Sequence, residues 1–248
     1  MDLQGKIALI TGAASGFGEA IAHRYAGLGA KVVIVDLNEE KAKAVAAAIG
    51  ADRAIGLRAD VTSRVDIDVA LEATVKAFGI PDIIVNNAGY THKNQPLLNV
   101  DEATFDRILN VNIKAIYHMV QAAVPLMRDN GGGVMLNVGS VAGIRPRPGL
   151  TWYNGSKGAT NMLSKSLAVE LAPWKIRVNV ICPVMGVTGM LEDFMGMPDT
   201  PENRTKFLSS IPLGRFCEPG DVADAAVYLA SSDFITGVEL PVDGGRVI

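Results

Sequence analysis

The sequence predicts an α/β protein built on a parallel sheet with helices on both faces. Three observations carry this. Short β-branched runs alternate with longer alanine-rich stretches, and most of the runs are apolar on consecutive residues, as strands buried on both faces are. No Pro/Ser-rich linker or composition break interrupts the 248 residues, so a single domain, 1–248, is expected to hold the chain. The first strand is KIALIT (6–11), followed by a glycine turn and a helix, GEAIAHRYAGLG (18–29). KVVIVD (31–36) precedes the helix EEKAKAVAAAIG (39–50), and RAIGLRA (53–59) precedes VDIDVALEATVKAFG (65–79). Each of these helices closes on a glycine suited to a C-terminal cap. The remaining strands are PDIIVNN (81–87), GVMLNVG (133–139), IRVNVIC (176–182) and GVELPVD (237–243). One segment, from Pro183 to about Phe216, breaks the pattern; rich in Gly, Pro and Met, it reads as a loop or lid beside a ligand.

Composition narrows the function classes. The chain is 49% hydrophobic and 20% charged with a net charge of −3, which argues against a nucleic-acid binder, since those show a basic stripe. No run of about 18 apolar residues predicts a membrane span, and the opening MDLQGKIALITG has no signal-peptide pattern. Cys182 and Cys217 form neither a metal spacing nor a disulfide framework, and His23, His92 and His118 form no zinc motif. A reducing, cytoplasmic setting without a metal centre is therefore expected.

The first strand runs into TGAASGFGEA. Gly12, Gly16 and Gly18, with Ser15 and Phe17 between them, fall at a strand-to-helix turn. Backbone amides and a helix N-terminus there can receive a phosphate, and bulky side chains would block a pyrophosphate; alone, such a motif is equally a plain tight turn. The second strand ends in Asp36, near the spacing at which a carboxylate meets an adenosine ribose, where it would repel a 2′-phosphate. The competing reading is a helix cap for the following LNEEKAKA. Asp60 and Val61 close the third strand, with Asp60 placed to meet an adenine amino group. Asn86, Asn87, Ala88 and Gly89 end the fourth on the same carboxyl edge, where open α/β sheets bind ligands.

Tyr153 and Lys157 lie one helical turn apart in YNGSK and project from one side of the helix. A free phenol ionises near 10, and a neighbouring ammonium favours the phenolate, so Lys157 is expected to lower the Tyr153 pKa toward the range useful for acid/base work. Y-x-x-x-K by itself is a common accident. Ser140, thirteen residues before Tyr153 at the end of the fifth strand, adds a hydroxyl that can hold a substrate oxygen toward the phenol. Asn112 is a polar residue in an otherwise amphipathic helix, ILNVNIKA.

Taken in order, TGAASGFG, Asp60, NNAG, Asn112, Ser140, YNGSK and the terminal ITGVELPVDGG make the chain resemble the short-chain dehydrogenase/reductase family, in its form of roughly 250 residues, over nearly its whole length. The resemblance implies a Rossmann-like, doubly wound sheet of seven strands, an NAD(P) cofactor and commonly a homotetramer. It implies Tyr153 as acid/base, Lys157 lowering its pKa and binding the nicotinamide ribose, Ser140 orienting the substrate oxygen, and Asn112 holding a water in a proton relay. It also implies that Thr188 contacts the nicotinamide carboxamide. One departure stands out: Pro183-Val184 occupies the place of the family's Pro-Gly, which puts the local loop geometry in question. With Asp36 present and a neutral Ser15 before Gly16, NAD is the expected cofactor.

The expected function is interconversion of a secondary alcohol and a ketone with NAD. Two alternatives stand beside it: a 3-oxoacyl-[acyl-carrier-protein] reductase, which would need a basic surface near Arg128, Lys175 and Arg177, and a dinucleotide-sensing or scaffold protein without catalysis. The segment GIRPRPG puts Arg145 and Arg147 between Ser140 and Tyr153. They read as solvated loop arginines, the commoner fate, or as forks for an acidic substrate. Met190 and Phe194 in the 183–216 segment give a lid with an apolar flank, or else simple packing.

Overall fold

The computed structural model describes residues 2–248. Seven strands form one sheet: β1 (Ile7–Thr11), β2 (Lys31–Asp36), β3 (Ala54–Arg58), β4 (Ile83–Asn86), β5 (Gly133–Val138), β6 (Ile176–Pro183) and β7 (Glu239–Val242). Every neighbouring pair is parallel, in the order β3-β2-β1-β4-β5-β6-β7. The chain reverses its direction of winding between β1 and β4, which opens a crevice at their carboxyl ends. The helices are α1 (Gly16–Gly27), α2 (Glu39–Ile49), α3 (Arg64–Ala77), α4 (Glu102–Leu109), α5 (Ala115–Asp129), α6 (Thr151–Leu171), α7 (Leu191–Met195), α8 (Pro201–Leu208) and α9 (Pro219–Ser231). Among the described residues, no helix is long and apolar enough to cross a membrane.

The consecutive apolar residues of the strands divide between two cores because side chains alternate across a sheet. Ala8 and Ile10 of β1 join Val32 and Ile34 of β2 under Ile21, Val45 and Val222, from α1, α2 and α9. Leu9, Val33 and Val35 point the other way, under Ile67, Met119 and Leu171, from α3, α5 and α6. Helix ends follow local chemistry: Asn38 caps α2 by accepting from Lys41 N at 3.0 Å, and α2 closes on Gly50 at φ 118°.

Three features differ from the sequence expectation. Helix α1 begins at Gly16, so the glycine turn already contains its first residues. The 183–216 segment carries two helices; Thr200 caps α8, with Pro201 in the first turn, a start signal that its Gly/Met-rich surroundings obscure. The helix around Asn112 is interrupted by one π-helical turn, Asn110–Lys114, between α4 and α5. Such turns shift the side chains that follow and recur at functional sites.

Buried polar groups join the carboxyl edge to α6. Asn86 and Asn137 are register partners on β4 and β5; Asn86 Nδ2 donates to Asn137 Oδ1 at 2.8 Å, and Asn137 Nδ2 donates to Ser164 Oγ at 2.9 Å. Asn137 and Ser164 are fully buried, so each lost partner would leave an unsatisfied group. Asn137→Ala is expected to lower unfolding free energy by about 2–4 kcal/mol in a urea titration, the sum of a small cavity and two stranded polar atoms. A loss below about 0.5 kcal/mol, the scale of an ordinary surface change, would show the network to be dispensable.

Candidate active site

The glycine turn is shaped by what it touches. A Cβ on Gly12 would fall 2.8 Å from Ala88 Cα, and one on Gly18 would fall 2.5 Å from both Asn87 Nδ2 and Gly12 O. Asn87 straps the turn down, donating to Thr11 O at 2.8 Å and Gly12 O at 2.9 Å. Gly16, at φ 62°, faces Thr188 across the crevice, where a Cβ would lie 3.3 Å from the threonine methyl. Ser15 stands at the N-cap of α1, yet its side chain bonds none of the helix amides. The start of α1 thus presents N–H donors and a positive dipole end to an acceptor in the crevice.

Asp36 is not the cap of α2, since Asn38 has that role. Its carboxylate instead accepts from Ala14 N at 3.1 Å and Asn38 N at 3.0 Å, which ties the end of β2 to the glycine turn. Asp60 Oδ1 accepts from the amide and the hydroxyl of Thr62, at 2.8 and 2.7 Å. Both aspartates, with Val61 and Phe17, line one cleft of about 380 Å³ with Gly12, Ser15, Gly16, Asn87, Ala88 and Gly89. Ser140, Tyr153, Lys157, Pro183 and Thr188 line the same cleft. A glycine turn without room for side chains, a helix start and a carboxylate after the second strand, all on one cleft, fit a dinucleotide.

Tyr153 is 6% exposed, and its ring meets Phe194 of α7 edge-on at 5.1 Å. Ser140 Oγ accepts from Ala142 N at 3.0 Å and donates to Pro183 O at 3.4 Å. Lys157 donates from Nζ to Val138 O at 2.8 Å and lies 5.8 Å from the Tyr153 ring centroid. Burial raises the phenol above its usual value, against the pull of the Ser140 hydroxyl. Lys157 is itself pushed down to about 8 by burial. Both shifts have one cause: a desolvated site disfavours whichever form is charged.

Asn112 is 2% exposed and does not reach the large cleft. Its amide is committed to Tyr90, accepting from Tyr90 N at 2.8 Å and donating to Tyr90 O at 2.9 Å, with a further bond to Ser156 Oγ. A small cavity of about 10 Å³, near the size that holds one water, is lined by Asn112, Thr11, Asn86 and Lys157. Lys157 borders both this cavity and the cleft. Val184, in place of the family's glycine, needs no left-handed backbone: Lys175 is the one non-glycine residue with positive φ among those described. The Pro-Val departure therefore leaves the geometry after β6 unstrained.

The 183–216 segment divides its side chains. Leu191 and Met195 pack into the body, Met190 lines the cleft, and Met185 and Phe194 do both. Arg145 is exposed, as the solvated reading expects, whereas Arg147 is half-buried. Arg145 donates to Arg246 O at 2.7 Å, and Arg147 donates to Phe194 O at 3.1 Å and stacks 4.9 Å over Phe207. Arg107, 4.1 Å over the Tyr90 ring, and Arg246 also line the cleft, and sequence reasoning missed both. The available signal for Arg246 was the terminal VDGG turn, which brings the chain end back to the edge of the sheet after β7.

Comparison with known proteins gives the family. Residues 12–246 match a family described as enoyl-(acyl carrier protein) reductase. The chain is 50% identical to the 4-formylbenzenesulfonate dehydrogenase of Comamonas testosteroni, over 100% of both chains. It is 40% identical to a 3-oxoacyl-[acyl-carrier-protein] reductase of Haemophilus influenzae, over 98% of each. A crystal structure of the 3-ketoacyl-(acyl-carrier-protein) reductase of Brucella melitensis complexed with NADH superposes with a TM-score of 0.94 at 48% identity over 100% of both chains. With this sheet order, this cleft and relatives of that likeness over the full length, the chain belongs to the short-chain dehydrogenase/reductase family of oxidoreductases.

Proposed function

We propose that the chain is an NAD-dependent oxidoreductase that interconverts a secondary alcohol and a ketone, with Tyr153 as acid/base. The observation that carries it is the convergence of Tyr153, Ser140 and Lys157 with the glycine turn and Asp36 on one cleft. The dinucleotide would supply the hydride donor and acceptor, held by the glycine turn, Asp36, Asp60, Thr188 and Lys157. Tyr153 gives its proton to the carbonyl oxygen in reduction and takes it back in oxidation, while the Ser140 hydroxyl holds that oxygen. Lys157, cationic below about pH 8, favours the phenolate as it forms, and Asn112 fixes the wall of the water-sized cavity next to that lysine. The 183–216 segment is the substrate wall: Phe194, edge-on to Tyr153, keeps water from the phenol.

A second reading, reduction of a 3-oxoacyl group on acyl carrier protein, is supported by the names of the Haemophilus and Brucella relatives. The surface weighs against it. Arg177 spends its guanidinium on the carbonyls of Leu229, Ala230 and Ile235, and Arg128 is paired with Asp129 at 2.8 Å. The Comamonas relative, 50% identical, is named for an aromatic carbonyl compound instead, and the apolar Leu150, Met185 and Phe194 lining suits a small ring. Catalysis also weighs against a scaffold role, because Tyr153 and Lys157 are both buried at the cleft wall. Exposed Tyr117, Met162 and Val169 on α5 and α6 support the homotetramer expected from the family, and the free buried thiols Cys182 and Cys217 suit a reducing cytoplasm.

The test is NAD-linked turnover of a panel of secondary alcohols. Tyr153→Phe should lower it by about 100-fold or more, the scale of a lost acid/base, with little change in NAD affinity. Because burial holds the phenol protonated above its usual value, alcohol oxidation, which needs the phenolate, should quicken from about pH 7 to about pH 10, while ketone reduction should not gain. Wild-type turnover in the variant, or a flat oxidation profile, would refute the assignment.

Asp36 should set cofactor choice. Ser15 and Leu37, which line the cleft with it, are neutral, and Arg58, its register partner on β3, lies 3.8 Å from Asp66, so a 2′-phosphate would meet the Asp36 carboxylate. Catalytic efficiency with NAD should exceed that with NADP by about 100-fold or more, on the scale of a like-charge juxtaposition. Asp36→Ser should narrow the gap; equal use of both cofactors by the wild type would end this reading.

A further inference from the structure

Arg145, Arg147 and Arg246 gather at the cleft wall without an Asp or Glu side chain within ion-pair distance of any of them, among the described residues, although Arg145 also donates to Ile248 O at 3.3 Å. Arginines elsewhere, such as Arg204 and Arg215, sit in ion pairs with Asp199 and Asp221. Asp243, close to Arg246 in the chain, spends its oxygens on the amides of Gly245 and Val247, at 3.0 and 2.9 Å. The two carboxylates that line the cleft, Asp36 and Asp60, are likewise held by backbone amides. Arg246 Nη1 is shielded from solvent and has no hydrogen-bond partner. Three guanidiniums on one cleft wall, none paired with an Asp or Glu side chain, repel one another.

The neighbours sharpen the point. Arg145 holds the C-terminal segment in place through Arg246 O, and Arg147 is fixed by Phe194 O and by stacking on Phe207. Their charges disfavour one another: burial and the nearby guanidiniums lower the pKa of both Arg147 and Arg246. Phe194 links this cluster to the phenol, since its carbonyl binds Arg147 while its ring meets Tyr153 at 5.1 Å. Leu150, Met185 and Phe194 line the same cleft as the phenol and the three arginines.

We propose that Arg246, with Arg147 and Arg145 behind it, receives a sulfonate or carboxylate on the substrate, whose apolar, ring-sized body lies between that anion and the reacting carbon. An oxyanion in the cleft offsets the cluster's repulsion, and the guanidinium fork matches its geometry. The site rests on the oxidoreductase reading for what happens beside Tyr153, but the anion's binding does not require turnover.

The test is calorimetric binding of 4-ethylbenzenesulfonate, 4-ethylbenzoate and the uncharged 4-ethylbenzamide, none of which has an alcohol or ketone to react. Wild-type protein should bind one or both anions at least about 10-fold more tightly than the amide, the scale of a charged hydrogen bond, with the advantage shrinking as salt is added. The sulfonate and benzoate arms separate the two oxyanions. Arg246→Gln should reduce the anion-over-amide preference by about 10-fold or more, and Arg246→Lys should restore part of it. If Arg246→Gln does not fold, judged by its thermal transition, the wild-type preference and its salt dependence still decide. Equal affinity for amide and anions, or an unchanged preference in a folded Arg246→Gln, would overturn the proposal. Anion binding by a chain that turns over no alcohol with NAD would sink the oxidoreductase reading alone, whereas turnover of neutral alcohols with no anion preference would sink this site alone.

Discussion

The carboxyl edge of the sheet is organised around one buried cation. Lys157 is 4% exposed, carries no carboxylate partner within ion-pair distance, and donates to a single carbonyl, Val138 O, at the end of β5. A charge so placed must be stabilised by oriented dipoles or lose its proton, and burial moves it in the second direction, to about 8. Its position depends on α6 being held against β4 and β5, which the Asn86–Asn137–Ser164 chain of hydrogen bonds does from within the core. On the other side, the π-helical turn carries Asn112 to Tyr90 and Ser156, closing the small cavity that the lysine shares. Packing, helix irregularity and acid/base chemistry are in this sense one problem.

Charge around the cleft is uneven. The carboxylates that line it, Asp36 and Asp60, are both tied into backbone amides near the glycine turn and the ends of β2 and β3. Guanidiniums gather instead near Phe194 and the C-terminal segment, where the phenol lies. The proposed preference for NAD and the proposed anionic substrate both rest on this division of charge. Relatives of similar identity carry different substrate names, as expected when one catalytic edge is combined with different walls.

Much of this was legible in the sequence, and the exceptions have a common cause. Strand periodicity placed all seven strands within two residues, because consecutive apolar residues are required of strands buried on both faces. The glycine turn, Asp36, Ser140, Tyr153 and Lys157 were legible from local spacing and do meet on one cleft. Properties that depend on tertiary surroundings were not. Whether Lys157 lowers or fails to lower the Tyr153 pKa depends on how dry both groups are, and the i, i+4 spacing is silent on that. Asn87 looked like a ligand contact and is also the strap of the glycine turn, since its partners Thr11 and Gly12 are 75 or more residues away. Arg246 joins the cleft only because the chain end folds back after β7.

The decisive quantity is the ionisation of Lys157 itself. Protein carrying 13C at lysine Cε, with Lys157→Met to assign the resonance, can be titrated by NMR between about pH 6 and about pH 11. A desolvated ammonium releases its proton early, so Lys157 should titrate with a midpoint near 8, apart from the surface lysines near the usual value of about 10.4. A Lys157 midpoint among those surface lysines would show the site to be solvated, and the arrangement of the carboxyl edge around a buried cation would then be contradicted.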